Sequence, residues 1–313
     1  MLQSMRSPAI GGVEWHDFEE LSSLQIPERL VARGPIEPAI YVVSTPIGNL
    51  GDLTLRALRV LSSVEIVLAE DTRRARQLMT AYGLSPRLIA VHQHNEARLA
   101  PELVAQARDM PLALVSDAGT PLLSDPGLPL VREAIAQGVP IIPIPGASAL
   151  LAATVVSGFA MDHLQFLGFL PHKGSGRRDR LERGERSGGA MVLYESANRM
   201  PVLIRDLVDQ CGPDRQVAFC REMTKLHEQI WRGSVGEAQA WYDASSDHAR
   251  GEYAVVVSAG ERQGSEIDQM RVLKALAKAL PPSKAAKVAA EITGGSRREL
   301  FELIEALHND GKA

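Results

Sequence analysis

The stretch Leu112–Gly127, LALVSDAGTPLLSDPG, decides the fold of this 313-residue chain. Its first four residues, Leu112–Val115, are apolar and predict a buried strand, and the small and polar residues after them predict a loop. Asp125 and Pro126 are typical of an N-cap and a first helical residue, so we expect a helix after the loop. In open α/β sheets ligands bind at such strand ends, although the same pattern also fits a plain strand-to-helix connection.

Strands and helices alternate over residues 38–158, which we take as the first domain. The predicted strands are Ala39–Ser44, Glu65–Ala69, Leu88–Val91, Leu112–Val115 and Val139–Ile144. A helical segment follows each of them, and this βαβ spacing predicts a parallel sheet. A polar loop also follows each strand: Thr45–Asp52, Glu70–Arg73, Gln93–Glu96, Ser116–Pro121 and Pro145–Ser148. Because parallel strands end at one edge of a sheet, we expect these loops to hold a small ligand there.

The pattern changes in residues 159–260, where strands follow one another without long helices. The predicted strands are Gln165–Leu170, Ala190–Tyr194, Gln216–Cys220, Glu228–Arg232 and Tyr253–Ser258. Such a succession favours a mixed or partly antiparallel sheet. The sequence therefore predicts an α/β fold with two α/β domains, a parallel sheet first and a mixed sheet second.

The two ends of the chain differ from these domains. Residues 1–37 are interrupted by Pro and Gly and predict a flexible extension, with one short helix near Trp15–Leu24. Residues 265–313 follow a linker at Gly260–Gly264 and are wholly helical in pattern. The two short helices around Gly294-Gly295 fit a helix-turn-helix, and they also fit a small helical cap on the second domain.

Composition excludes several classes of function. The chain has 34 Lys and Arg against 38 Asp and Glu, so no global basic field attracts nucleic acid. There is no GxxxxGK[ST] phosphate loop, no GxGxxG after the first strand and no GxSxG elbow. His92 and His94 lack partners at ligand spacing, so no metal site is predicted. The two cysteines form no CxxC, and no apolar run is long enough for a membrane span. The first residues lack the basic region and apolar stretch of a signal peptide. We therefore expect a cytoplasmic protein.

Several motifs together carry a specific resemblance. They are STPIGNLGDLTLRAL, AEDTRR, VSDAGTPLLSDPG, PIPGASAL, GFLP, LYES, REMTKLHE and, in the helical tail, PPSKAAKVAAEITGGSRREL. In this order they resemble the tetrapyrrole methylase superfamily, and within it the members that methylate ribosomal RNA. The resemblance implies S-adenosylmethionine as methyl donor, bound between two α/β domains of the tetrapyrrole methylase type in a homodimer. It also implies transfer to the 2′-hydroxyl of a cytidine in the decoding region of 16S ribosomal RNA of the small subunit.

The resemblance also implies which residues hold the donor. Those from the first domain lie in three of the strand-end loops, and two come from the second domain. They are Pro46, Ile47, Gly48, Ser116, Asp117, Ala118, Gly119, Thr120, Pro121, Ser148, Ala149, Glu195 and Thr224. Asp117 is the acceptor we expect to meet the donor's ammonium or ribose. Ala147, Ala197 and Asn198 depart from the residues expected at those positions of the family motifs.

Methyl transfer from a sulfonium needs no metal, but it needs alignment of donor and acceptor and removal of the hydroxyl proton. The candidate catalytic residues are Asp71, His94, Glu222 and Lys225. Glu222 fits a base and fits equally well a partner of Arg221. Lys225 is also a candidate for binding RNA phosphates, together with Arg73, Arg199 and Arg221.

A nearly neutral chain must meet RNA through a local patch. Residues 173–186 hold six basic and three acidic side chains, a net charge of +3. Lys173, Arg177, Arg178 and Arg180 are its RNA-binding candidates on a flexible arm, and the alternative is a solvated helix with internal charge pairs. The tail adds Lys284, Lys287, Arg297 and Arg298. The basic arm and the helical tail argue against one alternative, a methyltransferase of tetrapyrroles or other small molecules, which would not need them. A second alternative, a non-catalytic RNA-binding module, stays open, and affinity for S-adenosylmethionine distinguishes it.

Overall fold

A computed structural model describes residues 36–172, 175–260 and 269–310. Two five-stranded sheets and a helical bundle make up this part of the chain. The predictions for residues 1–35, for Lys173 and for most of the 260–264 linker lie outside the described residues.

The first domain is a parallel sheet with the strand order β3-β2-β4-β1-β5, as the βαβ spacing predicted. Its strands are Ile40–Val43 (β1), Ile66–Ala69 (β2), Arg87–Ala90 (β3), Leu112–Val115 (β4) and Ile141–Ile144 (β5). The connecting helices are Leu55–Ser63 (α1), Thr72–Ala81 (α2), Glu96–Gln106 (α3) and Leu128–Ala136 (α4). Every residue of β2 and β4 is buried because helices cover both faces of the sheet.

The N-cap of α4 corrects one expectation. The helix begins at Leu128, as its sequence pattern predicts, but Gly127 is its N-cap instead of Asp125, and Pro126 lies before the helix. Gly127 has a φ of +123°, which favours glycine, and its N–H donates to Glu96 Oε2 at 2.6 Å. The Glu96 side chain, at the start of α3, therefore accepts the hydrogen bond from this backbone N–H, and the Asp125 side chain does not.

A fifth helix, Ala149–Ser157 (α5), follows β5 and packs against the second sheet. Ala153 of α5 lies in a core cluster with Val192, Ala218 and Val256 of that sheet. The helix that closes the first domain in sequence thus joins the two domains in space.

The second sheet is mixed, as predicted. Its strand order is β6-β7-β10-β8-β9; β6 and β7 are parallel and the other pairs are antiparallel. The strands are Leu164–Phe169 (β6), Ala190–Ser196 (β7), Gln216–Arg221 (β8), Gln229–Ser234 (β9) and Glu252–Val257 (β10). Three helices belong to this domain: Ser175–Arg186 (α6), Met200–Cys211 (α7) and Val235–Asp243 (α8).

The described tail forms a bundle of three helices: Gln269–Ala279 (α9), Pro282–Thr293 (α10) and Arg297–Asp310 (α11). Leu273, Ala285, Ala289, Leu300 and Ile304 form a core of their own. Gly294 ends α10 in the left-handed conformation with a φ of 70°. Among the described helices, none is long and apolar enough to cross a membrane.

Candidate functional site

The loops after β1, β4 and β5 are joined at one edge of the first sheet. Thr45 and Gly119 exchange backbone hydrogen bonds of 2.9 and 3.1 Å. The hydroxyl oxygens of Ser44 and Thr120 lie 2.9 Å apart, and Thr120 also donates to the carbonyl oxygen of Ala147 at 3.3 Å. The predicted convergence of the strand-end loops is therefore present, because all five strands run parallel and end on the same side.

The larger cavity at this edge lies between the first-domain loops and a turn of the second domain. Its volume is ≈ 550 Å³, within the range of small-molecule sites. The residues that line it are Ile47, Asp52, Thr54, Pro145, Gly146, Ala147, Ser148, Ala152 and Thr224. The expected donor residues Ile47, Ser148 and Thr224 are among them.

Two buried polar atoms from different domains interact in the wall of this cavity. They are Asp52 Oδ2 from the first domain and Thr224 Oγ1 from the second. Burial raises the pKa of Asp52, a hydrogen bond from the Thr224 hydroxyl partly offsets that rise, and the charge of Glu228 adds to it. Apart from this contact, neither atom has a hydrogen-bond partner among the described residues, so the pair indicates room for a polar ligand group between the domains.

The two domains also approach closely at Gly48. A Cβ at this position would lie 2.3 Å from Lys225 Cγ and 3.1 Å from Thr224 Oγ1. Only glycine therefore allows the loop after β1 to pass the Lys225 side chain without displacing it.

A smaller cavity of ≈ 140 Å³ lies on the other side of that loop. It is lined by Pro46, Gly48, Leu50, Arg74, Ala75, Leu78, Ser116 and Asp117. Asp117 Oδ1 accepts from the backbone N–H of Asp71 at 3.0 Å, and Asp117 Oδ2 lies 3.3 Å from Arg74 Nη1. The Asp117 carboxylate thus connects the loops after β2 and β4.

Asp71 is the N-cap of α2. Its carboxylate accepts from the Arg73 backbone N–H at 2.8 Å and from Arg73 Nη2 at 2.7 Å. These hydrogen bonds from Arg73 lower the pKa of Asp71 to about 2. His94, the other candidate at this end, is exposed, and its ring centroid lies 5.9 Å from that of His92.

Glu222 and Lys225 form an ion pair in the second-domain turn. Lys225 Nζ donates to Glu222 Oε1 at 2.8 Å and to Glu252 Oε2 at 3.1 Å. Burial acts to raise the pKa of Glu222, but hydrogen bonds from Lys225 and the Glu252 N–H outweigh it and lower the value. Glu222 and Thr224 have φ values of 49° and 65°, an unusual conformation for these residues that the surrounding contacts must maintain.

An acidic group lies beneath the loop after β4. Burial raises the pKa of Asp125 from 3.8 to about 6, the charges of Glu70 and Asp117 add to the rise, and a hydrogen bond from Ser116 opposes it. Burial is also the largest cause of a raised pKa at Glu70. Among the described residues, no group of three or more Cys, His, Asp or Glu is arranged to hold a metal ion.

The structure corrects the expected roles of Arg177 and Glu195. Arg177 is only 4% exposed, and its guanidinium contacts Glu195 Oε2 at 3.0 Å and Asp206. Glu195 is 1% exposed and also pairs with Arg199 at 3.3 Å. Arg177 therefore does not face an RNA, and the Glu195 carboxylate serves the interior of the second domain instead of the donor pocket.

Two further expectations about basic residues change. Arg221 is buried and donates to the carbonyl oxygens of Arg250 at 2.8 Å and His227 at 3.3 Å, so it is not available to phosphates. Residues 175–186 form a helix and not a flexible arm. Arg178 and Arg180 of this helix are exposed.

Sequence reasoning missed Asp52 and Arg74. Asp52 is the single carboxylate of its strand-end loop, and Arg74 directly follows Arg73, which was singled out. Both signals are present in the sequence, but only the packing of the loops shows that these side chains line the cavities.

The fold and this strand-edge site define a methylase. Residues 39–239 match the family model described as Tetrapyrrole (Corrin/Porphyrin) Methylases, and residues 263–308 match the RsmI C-terminal HTH domain. The chain therefore belongs to the tetrapyrrole methylase family. This confirms the predicted fold class, and the second match favours the helix-turn-helix alternative for the tail.

Two relatives of this chain share one name. The chain is 42% identical over 281 residues to a ribosomal RNA small subunit methyltransferase I of Mesorhizobium japonicum, covering 89% of this chain and 95% of the relative. It is 40% identical over 266 residues to the protein of the same name from Escherichia coli O157:H7, covering 84% and 93%.

Among solved structures, the chain is similar to diphthine synthase with a TM-score of 0.56 and 13% identity, covering 70% of this chain and 89% of that one. It is also similar to the methyltransferase CobJ with a TM-score of 0.54 and 19% identity, covering 72% and 95%. At these identities the two likenesses show the fold alone.

Proposed function

We propose that this protein transfers a methyl group from S-adenosylmethionine to the 2′-hydroxyl of a cytidine in the decoding region of 16S ribosomal RNA. The observation that carries the proposal is 42% identity, over 89% of the chain, to a relative named ribosomal RNA small subunit methyltransferase I. The matched helix-turn-helix domain supports RNA over a tetrapyrrole as acceptor, because a small ring does not need an added domain of this kind. A cytoplasmic location is part of the proposal.

The residues of the larger cavity fit the methyl donor. Ile47 and Ala152 offer apolar surface, and Ser148 lies at the start of α5. Thr224 and Asp52 offer a hydroxyl and a carboxylate group. Asp117, Ser116, Pro46 and Gly48 line the adjacent smaller cavity. When bound, S-adenosylmethionine supplies an electrophilic methyl group. The chain's own part is to hold the acceptor hydroxyl in line with that methyl and to exclude water.

The acceptor hydroxyl must lose its proton during or after attack. Asp71, His94 and Glu222 are the candidate acceptors of that proton at this edge, with Lys225 fixing Glu222. No step of the proposal needs a metal. A homodimer is also part of it, and the exposed apolar side chains on α5, Leu151 and Val155, offer surface for a second copy.

Methyl transfer to the small ribosomal particle tests the proposal. Purified protein, S-adenosylmethionine with a labelled methyl group and particles from cells lacking the protein should give label in 16S RNA, in the presence of a chelator. Mapping of 2′-O-methylation should place it on one cytidine of the decoding region. Label on a tetrapyrrole instead would favour the small-molecule alternative, and donor binding without any transfer would leave a binding module.

A further inference from the structure

The rim of the site at α2 carries exposed positive charge. Arg73 has a side chain that is 88% exposed, Arg74 one that is 64% exposed, and Arg76 is exposed as well. They occupy the first two turns of α2, which begins at the loop after β2 and contributes Arg74 to the wall of the smaller cavity. This basic segment, Arg73–Arg76, therefore lies directly beside the donor loops.

The neighbouring carboxylates pair with two of these arginines. Asp71 caps the helix and pairs with the Arg73 guanidinium at 2.7 Å, and Asp117 accepts from the Asp71 N–H and lies 3.3 Å from Arg74 Nη1. Glu70 is half-buried with a raised pKa. Across the described chain, Arg76 has no ion-pair partner. The segment thus presents three guanidinium groups to solvent, and the Arg73 pair with Asp71 is exposed, so a phosphate group can reach that guanidinium.

The other parts of the rim offer less free positive charge. Lys225 is bound by both Glu222 and Glu252. Arg177 and Arg221 are buried, as described above. Residues 92–96, which lead into α3, carry Glu96 and no Lys or Arg.

Building on the proposed function, we propose that the first two turns of α2 bind the phosphate backbone of the acceptor RNA next to the nucleotide to be methylated. Arg73 and Arg76, which are three residues apart, lie on one face of the helix and contact phosphates there. Arg74 follows Arg73 in the helix and points in a different direction. Its guanidinium stays paired with Asp117 in the wall of the smaller cavity. Guanidinium groups suit this role because they bind phosphate oxygens in a bidentate way.

The test uses full-length protein, small ribosomal particles from cells lacking it, and the double variant R73A/R76A. Donor affinity measured by calorimetry should not change. Particle affinity should fall about tenfold near 0.15 M salt, and the log–log salt slope should become shallower by about 1.4 for two lost single-strand phosphate contacts. Saturating particle concentrations should restore most of the turnover, so the loss lies mainly in KM.

The matched control is R87A/R108A, which removes two exposed arginines near the amino-terminal ends of β3 and β4, away from the strand-end loops. It should leave particle affinity and salt slope at wild-type values. R76A alone provides a second variant that leaves the Asp71–Arg73 pair intact, and it should show about half of the slope change. The inference would be overturned if both α2 variants still methylate the particle and bind it with the salt slope of the wild-type protein. If wild-type protein fails to methylate the particle at all, the proposed function itself fails.

Discussion

Asp117 Oδ1 accepts a hydrogen bond of 3.0 Å from the backbone N–H of Asp71, across 46 residues of sequence. This one contact fixes the loop after β4 against the loop after β2, and Arg74 supports it from α2 at 3.3 Å. Two of the strand-end loops at this edge of the first sheet are therefore held by a single carboxylate. Loss of that carboxylate should change donor binding through loop position as well as through direct contact.

Asp117→Ala should weaken binding of S-adenosylmethionine by about 1.5–3 kcal/mol, the usual value of a hydrogen bond to a charged group. Calorimetry on the folded variant measures this change. Asp109→Ala removes an exposed carboxylate from the same domain and should bind the donor like wild type. Unchanged affinity in Asp117→Ala would remove Asp117 from the donor site.

Asp71→Asn should lower turnover roughly 10²-fold or more if Asp71 takes the hydroxyl proton, with donor affinity unchanged. In the free protein Arg73 holds the pKa of Asp71 at about 2, which makes a weak base. We therefore expect its basicity to rise only when an RNA phosphate draws Arg73 away. Asn is as good an N-cap as Asp, so thermal stability should be preserved. Normal turnover in Asp71→Asn would show that the residue only caps α2.

Arg177→Ala should destabilise the second domain by about 3 kcal/mol, the lower end of the range for breaking a buried ion pair, because Glu195 loses one of its two arginine partners and keeps Arg199. Urea unfolding followed by fluorescence measures the loss. Arg178→Ala changes the neighbouring exposed arginine of α6 and should stay within about 0.5 kcal/mol of wild type. Equal stability of the two variants would contradict the buried position of Arg177.

Asp125 should make stability depend on pH between about 4 and 6. Its pKa in the folded protein is about 6, above its ordinary value of 3.8. Folding therefore gains from the bound proton at low pH, and this gain is lost as the pH rises through 6. Asp125→Asn carries no such proton, so its Tm relative to wild type should increase from pH 4 to pH 7 and then stay level.

An exposed aspartate of the second domain, Asp162, provides the control for this profile. Asp162→Asn should follow wild type across the whole range, because its carboxylate is not buried. A flat Tm difference between Asp125→Asn and wild type would mean that Asp125 titrates at its ordinary pH.

The sequence by itself determined the architecture and the edge that carries the site. Alternating strands and helices require a parallel sheet, and parallel strands end on one side, so the loops at Thr45, Ser116 and Pro145 had to converge. These are properties of local periodicity and connection length, which neighbouring residues specify. The mixed second sheet followed from short connections in the same way.

Tertiary packing alone decided which charged side chains face solvent. Arg177 and Arg178 are adjacent in a basic run, yet one is buried between Glu195 and Asp206 and the other is exposed. The side chains of adjacent helical residues point about 100° apart, so only the position of β7 and α7 selects which arginine is enclosed. Likewise, Asp52 and Thr224 come from loops 172 residues apart and line one cavity only because α5, which follows β5 in the chain, packs against the second sheet. Contacts of that kind depend on the relative position of two domains, which no local pattern in the chain specifies.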